Sequence, residues 1–264
     1  MSELIRLQGV AVLTEGHEAL SDVDLVVTEG TCTVIMGPSG SGKSTLLKVT
    51  AGLMPPDRGT VTLRGDDLGS LGERRLLEFR RMNGFVFQDG ALWENKSIFD
   101  NLALPLQVHC PELGAGRIRA LVLAMLDRGG LADSPALRPA QLSGGERKIA
   151  SFLRAAITDP SVVFLDEPTL SIDHTMAELI TGMIRDLKAR GCTILAVTHD
   201  PRLASLVADR LAVIDAGRIV AEGPFDDVKR SADPRVRSVL ARVLGEISSF
   251  DTDLLDLLDG GPGG

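Results

Sequence analysis

The residues best suited to chemistry are Gly37, Ser39, Gly40, Gly42, Lys43, Ser44 and Thr45, gathered in the run Gly37-Pro38-Ser39-Gly40-Ser41-Gly42-Lys43-Ser44-Thr45. Glycines at this spacing let a backbone turn tightly and aim several N–H groups at one point. A helix beginning just beyond them adds partial positive charge. Lys43 supplies a full charge and Ser44 a hydroxyl for Mg2+, so G-x-x-x-x-G-K-[ST] reads as a cradle for the phosphates of ATP or GTP.

Two further groups could act with it. The apolar run Val162-Val163-Phe164-Leu165 ends in Asp166-Glu167-Pro168, and the carboxyl ends of buried strands are where open α/β sheets bind ligands. Asp166 suits Mg2+ held through water, and Glu167 suits a group that orients and polarises the attacking water. The run Leu142-Ser143-Gly144-Gly145-Glu146 has the Ser/Glu spacing of a helix capping box. Its paired glycines are costly in a helix, so it reads either as a cap alone or as a second phosphate-facing helix start, one that another copy of the chain could present. His199 follows an apolar run and is either structural or catalytic.

The elements that must carry these residues follow from periodicity. The cradle needs a strand before it, Thr33 to Met36, and a helix after it, Ser44 to Leu53. Leu4 to Val12 and Val23 to Val27 read as strands of a small antiparallel sheet with a polar turn around Glu15 to His17, and Thr60 to Arg64 as another short strand. Glu73 to Met82 is helical and Gly84 to Gln88 a strand. Residues 90 to 158 hold no convincing parallel strand, whereas Arg117 to Leu126 and Gly144 to Ile157 have helical spacing, so a helical subdomain is inserted there. Strand, helix, strand and helix then follow at Ser161 to Leu165, Met176 to Ala189, Cys192 to Val197 and Pro201 to Ala208, with a hairpin at Leu211 to Ile214 and Arg218 to Ala221. The alternation predicts an α/β fold with a mostly parallel sheet covered on both faces.

At 264 residues and 44% hydrophobic, the chain can bury a full core. Its net charge is −8, of which five acids and no base lie from Glu246 onward. No Lys/Arg cluster marks a nucleic-acid face. Met1 to Gln8 has no apolar core of signal-peptide length, and no apolar run is long enough to span a bilayer. Cys32, Cys110 and Cys192 read as buried free thiols of a reducing compartment.

Together these motifs resemble the ATP-binding-cassette (ABC) ATPases: the P-loop at Gly37 to Thr45, Gln88 after a strand, LSGGE at Leu142 to Glu146, LDEP at Leu165 to Pro168, Asp173 in the next turn, and Thr198-His199-Asp200. The resemblance spans about residues 4 to 225. It implies a P-loop NTPase (RecA-like) core at 1–89 and 159–225 with an N-terminal antiparallel β subdomain. An inserted α-helical subdomain would occupy 90–158, and 226–264 would be an extension contacting the dimer partner or another subunit. It also implies a head-to-tail homodimer with two ATP molecules, each between one chain's P-loop and the other's Ser143-Gly144-Gly145. In that arrangement Mg2+ is held by Ser44, Gln88 and Asp166. Glu167, His199 and Gln88 serve hydrolysis, and Asp173 links the two sites.

Two features depart from the family pattern. Val10 to Gly16 lacks the adenine-stacking aromatic, and the chain has no tyrosine. Stacking contributes about 1–3 kcal/mol per base in nucleic-acid binding, so affinity is expected to rest on the phosphates, with loose discrimination against GTP. The second departure is Glu146 at the place where glutamine is commonest.

The segments Gln88 to Leu92, Ser97 to Asn101 and Ala232 to Arg237 further resemble the ATPase subunit of Mla-type phospholipid transporters. This implies an integral-membrane permease, an MCE-domain lipid-binding protein and a small regulatory subunit as partners, with the chain at the cytoplasmic face of the inner membrane. Trp93, the single tryptophan, either lines the groove receiving a permease helix or packs the helical subdomain. Phe250, Leu254, Leu257 and Leu258 form either one face of a short acidic helix or part of a frayed tail. The ATPase of a polar-solute importer and a non-transport ABC protein are the alternatives.

Overall fold

The computed structural model describes residues 2–14 and 16–247. Chain order is β1 (Glu3–Thr14), β2 (His17–Thr28), β3 (Cys32–Met36), α1 (Lys43–Thr50), β4 (Arg58–Leu63), β5 (Asp66–Asp67), α2 (Glu73–Met82) and β6 (Asn83–Val86). Three helices follow, α3 (Ile98–His109), α4 (Ala115–Arg128) and α5 (Gly144–Ala156). The remainder is β7 (Val162–Asp166), α6 (His174–Ala189), β8 (Thr193–Val197), α7 (Pro201–Val207), β9 (Arg210–Asp215), β10 (Arg218–Pro224), α8 (Phe225–Lys229) and α9 (Pro234–Ile247).

Two sheets form. The larger has the order β10-β9-β3-β8-β7-β6, with parallel pairing throughout except at its β10 edge. The smaller, β2-β1-β4-β5, is antiparallel. β3, β7 and β8 are buried at every residue, which explains their unbroken apolar runs. Alternation sends Val34, Val163, Leu165, Ile194 and Ala196 into a core shared with α3 to α7 and α9. Ile35, Val162, Phe164, Leu195 and Val197 point the other way, into a core shared with α1, α2 and the antiparallel sheet. Both faces are covered, though one is covered largely by a second sheet.

Several elements differ in extent from the sequence reading. β1 and β2 are longer than expected, and Glu15 lies outside the described residues. α1 stops at Thr50 because Gly52, at φ +66°, turns the chain so that the Leu53 N–H reaches the Lys48 carbonyl. β6 ends at Val86, and Phe87 turns toward Gly90, whose N–H it accepts at 2.9 Å. α3 has no counterpart in the sequence reading, because Pro105 interrupts its pattern. The helix persists because Ser97 caps it (Asp100 N–H to Ser97 Oγ, 3.0 Å) and Ile98, Leu102 and Leu106 are buried. The side chains of Phe250, Leu254, Leu257 and Leu258 lie outside the described residues.

Candidate active site

The parallel strands deliver the candidate residues to one edge. Gly37 follows β3, Gln88 follows β6, Asp166 ends β7 and His199 follows β8. The loop after β3 is tightly seated. A methyl on Gly37 would lie 2.2 Å from the Ile214 carbonyl oxygen, and Gly42, at φ +97°, would bring one within 2.5 Å of that of Ala19. Ser39 and Gly40 are exposed at the tip. Lys43 Nζ donates to the carbonyls of Gly37 (2.8 Å) and Pro38 (2.9 Å), folding its ammonium over the loop. Ser44 and Thr45 lie in the first turn of α1, whose leading amides face the same loop.

Ser44 Oγ donates to Asp166 Oδ1 at 2.8 Å across the β3–β7 gap. Burial pushes the Asp166 carboxyl above its ordinary range, opposed by the Ser44 hydrogen bond. The two residues border a cavity of about 440 Å³, whose walls include Gln88, Lys48, Lys148 and Ser171. Serine and amide oxygens beside one carboxylate are donors for a hard cation that completes its shell with phosphate and water.

Glu167 occupies the left-handed region at φ +48°, which costs a non-glycine residue about 1–3 kcal/mol unless its surroundings over-determine it. They do so here. Its N–H donates to the Val197 carbonyl (2.9 Å), and its carboxylate accepts from His199 Nδ1 (3.0 Å) and from the His199 backbone N–H (3.3 Å). The parallel register that sets Asp166 beside Val197 brings the residues just beyond the two strand ends within reach of each other. The Glu167 hydrogen bond raises the His199 pKa, with burial opposing it.

The LSGGE run and Asp173 form a separate group. Ser143 Oγ accepts the Glu146 N–H (3.2 Å) and Glu146 Oε2 the Ser143 N–H (2.8 Å), a full capping box. The Ser143 hydroxyl and amide hold the Glu146 carboxyl below its usual range. The adjacent glycines differ sharply. A methyl on Gly145 would sit 1.9 Å from Met176 Sδ, whereas one on Gly144 would meet nothing within 4 Å. Asp173 caps α6 by accepting the Met176 N–H at 3.0 Å. Neither Ser143, Gly144 nor Asp173 lines the cavity beside Ser44.

A matching family model decides the relationship: the model for ABC transporters matches residues 20–170, more than half of the chain. The chain belongs to the ABC transporter family. It is an ATP-hydrolysing cassette. Its fold superposes on the dimeric ATP-binding cassette MJ0796, solved in a post-hydrolysis state with ADP and Pi, with a TM-score of 0.78 and 30% identity, covering 84% of this cassette and 99% of that one. Among similar proteins, the methionine import ATP-binding protein MetN of Caulobacter vibrioides is 39% identical over 217 residues, 81% of this cassette and 64% of the relative. The intermembrane phospholipid transport ATP-binding protein MlaF of Haemophilus influenzae is 38% identical over 234 residues, 88% of each. The probable ribonucleotide transport ATP-binding protein mkl of Mycobacterium leprae is 34% identical over 249 residues, 94% of this cassette and 72% of the relative.

Three basic residues of the cassette lie outside the motifs legible in the sequence. Lys148 and Lys48 line the cavity, and Arg154 donates to the carbonyls of Ala91 (2.7 Å) and Gly90 (3.0 Å), fastening the segment after Gln88 to α5. The available signal was three bases, Arg147, Lys148 and Arg154, on a helix whose remaining positions are mostly buried. Where the adenine-stacking aromatic is absent, Leu13 stands exposed at the end of β1, its N–H bound to Asp57 Oδ2. Cys32 and Cys192 are buried and Cys110 half-buried, all three free. Burial pushes the first two thiols up to about 12 and about 11. Among the described residues, no helix is long and apolar enough to cross a membrane.

Proposed function

We propose that this cassette powers a phospholipid transporter, working as a homodimer beneath an integral-membrane permease and with an MCE-domain lipid-binding protein. The observation that carries this reading is the pair of segments Gln88 to Leu92 and Ser97 to Asn101, whose sequences resemble the Mla-type ATPases. Asn101 is fully buried and clasps the loop before α3, accepting the Trp93 N–H (2.8 Å) and donating to the carbonyls of Trp93 (3.2 Å) and Ser97 (2.9 Å). The clasp leaves Trp93 45% exposed, on a rigid mount suited to a partner's helix. The likeness to MlaF over 88% of both chains supports the same reading.

The chemistry proposed for the site uses residues already in register. The amides around Gly40 to Thr45 and the Lys43 ammonium hold the β- and γ-phosphates of ATP. Ser44, Gln88 and Asp166 form the donor set for Mg2+, which when bound neutralises phosphate charge. Glu167 orients and polarises the attacking water, and His199 steadies the γ-phosphate side of that water. Ser143, Gly144 and Gly145 of a second copy close over the nucleotide, with Asp173 at the seam. The cassette would then sit at the cytoplasmic face of the inner membrane, held there by the permease.

The likeness to MetN supports a second reading, the ATPase of a polar-solute importer. Affinity purification of the tagged protein from detergent-solubilised native membranes, with mass spectrometry of proteins and lipids, separates the two. A permease with an MCE-domain protein and bound phospholipid is the expected result. A permease with a solute-binding protein moves the assignment to the importers, and recovery from the membrane-free fraction alone overturns both.

A further inference from the structure

Glu167 accepts one hydrogen bond that originates in the helical insertion. Lys148, in the second turn of α5, places Nζ 2.6 Å from the Glu167 carbonyl oxygen. The approach is prepared along the whole helix. Gly84 of β6 leaves room for the Ala155 carbonyl, which a methyl there would meet at 2.4 Å, and Gly90 lies beside Ser151 and the Arg147 carbonyl. Lys148, Ser151 and Ala155 follow one another at helical spacing on this side of α5, so close packing of α5 on β6 carries the lysine to the end of β7. There it is half-buried, facing Asp166 and Glu167. Burial lowers its pKa and those two carboxylates oppose the fall.

Among the hydrogen bonds that hold Glu167 in its left-handed conformation, those to Val197 and His199 belong to β8 and the residues after it. The Lys148 bond comes from the insertion, whose first residues Gly90 and Ala91, just after Gln88, are clamped to the same helix by Arg154. We propose that Lys148 is a positioning residue for hydrolysis: by gripping the Glu167 carbonyl it fixes the peptide that aims the Glu167 carboxylate, and ties that aim to the seating of α5. This rests on Glu167 being the group that polarises the attacking water. A lysine at this place makes hydrolysis depend on where the insertion sits, while phosphate binding at Lys43 and Ser44 does not.

The test uses the purified full-length protein and its Lys148→Met, Lys148→Arg and Glu167→Gln variants. Phosphate release is measured across Mg-ATP concentrations, and binding of a fluorescent ATP analogue in parallel. The expected result is a roughly 10- to 100-fold fall in kcat for Lys148→Met, the size of losing a charged hydrogen bond. KM and analogue affinity stay within about threefold, and Lys148→Arg, which keeps charge and donors, recovers most of the rate. Parental kcat in Lys148→Met alongside a dead Glu167→Gln overturns the positioning role and leaves the Glu167 assignment standing. A weakened analogue affinity with unchanged kcat also overturns it, since the lysine would then be a phosphate contact. Turnover retained in Glu167→Gln overturns the Glu167 assignment and this inference with it. Should Lys148→Met be too unstable to purify, Lys148→Gln is judged by the same criteria.

Discussion

Two glycine-bearing helix starts invite comparison. The one at α1 is built into the molecule, with Gly37 and Gly42 packed against backbone and Lys43 and Ser44 tied to Gly37, Pro38 and Asp166. The one at α5 closes on itself, since Ser143 and Glu146 cap each other and Gly144 faces open space. The first start is organised by the rest of its own chain. The second is capped by its own residues, and although Gly145 packs against Met176, Gly144 meets nothing inside the chain. The outward-facing side of Gly144 is the surface that the proposed site gives to a second copy.

Substitutions can break that contrast. The largest effect is expected from Glu167→Gln, with hydrolysis falling on the order of 10²- to 10⁴-fold while ATP-dependent dimers persist on size-exclusion chromatography. Undiminished turnover would sink the assignment. Next is Gly144→Asp, which adds an acid where the proposal brings a phosphate. Like charges in contact cost several kcal/mol, so turnover should drop about a hundredfold or more. An acid suits a helix N-terminus, so the melting temperature should hold. Equal loss of folding and activity would argue that Gly144 is structural.

Gly145→Ala sharpens the same contrast from the inside. Its methyl collides with Met176, and overpacking costs about 1–3 kcal/mol, partly offset by the better helix propensity of alanine. A net destabilisation of about 1 kcal/mol is expected in urea unfolding, and a stabilised variant would contradict the packing. The smallest effect is electrostatic. The His199 pKa is raised by Glu167, so the pair's contribution is fully present below the ordinary histidine pKa of about 6.5 and is lost as pH rises through the folded value. The stability difference between the parent and His199→Gln should therefore be larger at pH 6 than at pH 9. A difference that grows with pH would refute the pairing.

The parts legible in the sequence were those whose information is local. The phosphate loop needs nine consecutive residues, β7 announces itself by four apolar residues before two acids, and the capping box by a Ser/Glu spacing of three. α3 was illegible because Pro105 breaks the local rule, and burial of Ile98, Leu102 and Leu106 must join the Ser97 cap to repair it. Lys148 was illegible because nothing near residue 148 says that β6 carries Gly84 for α5 to lie against.

The sequence by itself determined the chemistry available to this protein: which groups can bind phosphate, hold a cation or polarise water, since side-chain type and short spacing set these. Tertiary structure alone decided which of those groups meet. His199 faces Glu167 because β7 and β8 are parallel neighbours in a fixed register, Ser44 reaches Asp166 across 122 positions, and Lys148 reaches Glu167 because a helix packs on a strand. Contacts of that range depend on the burial of whole faces, which no stretch of the chain specifies alone.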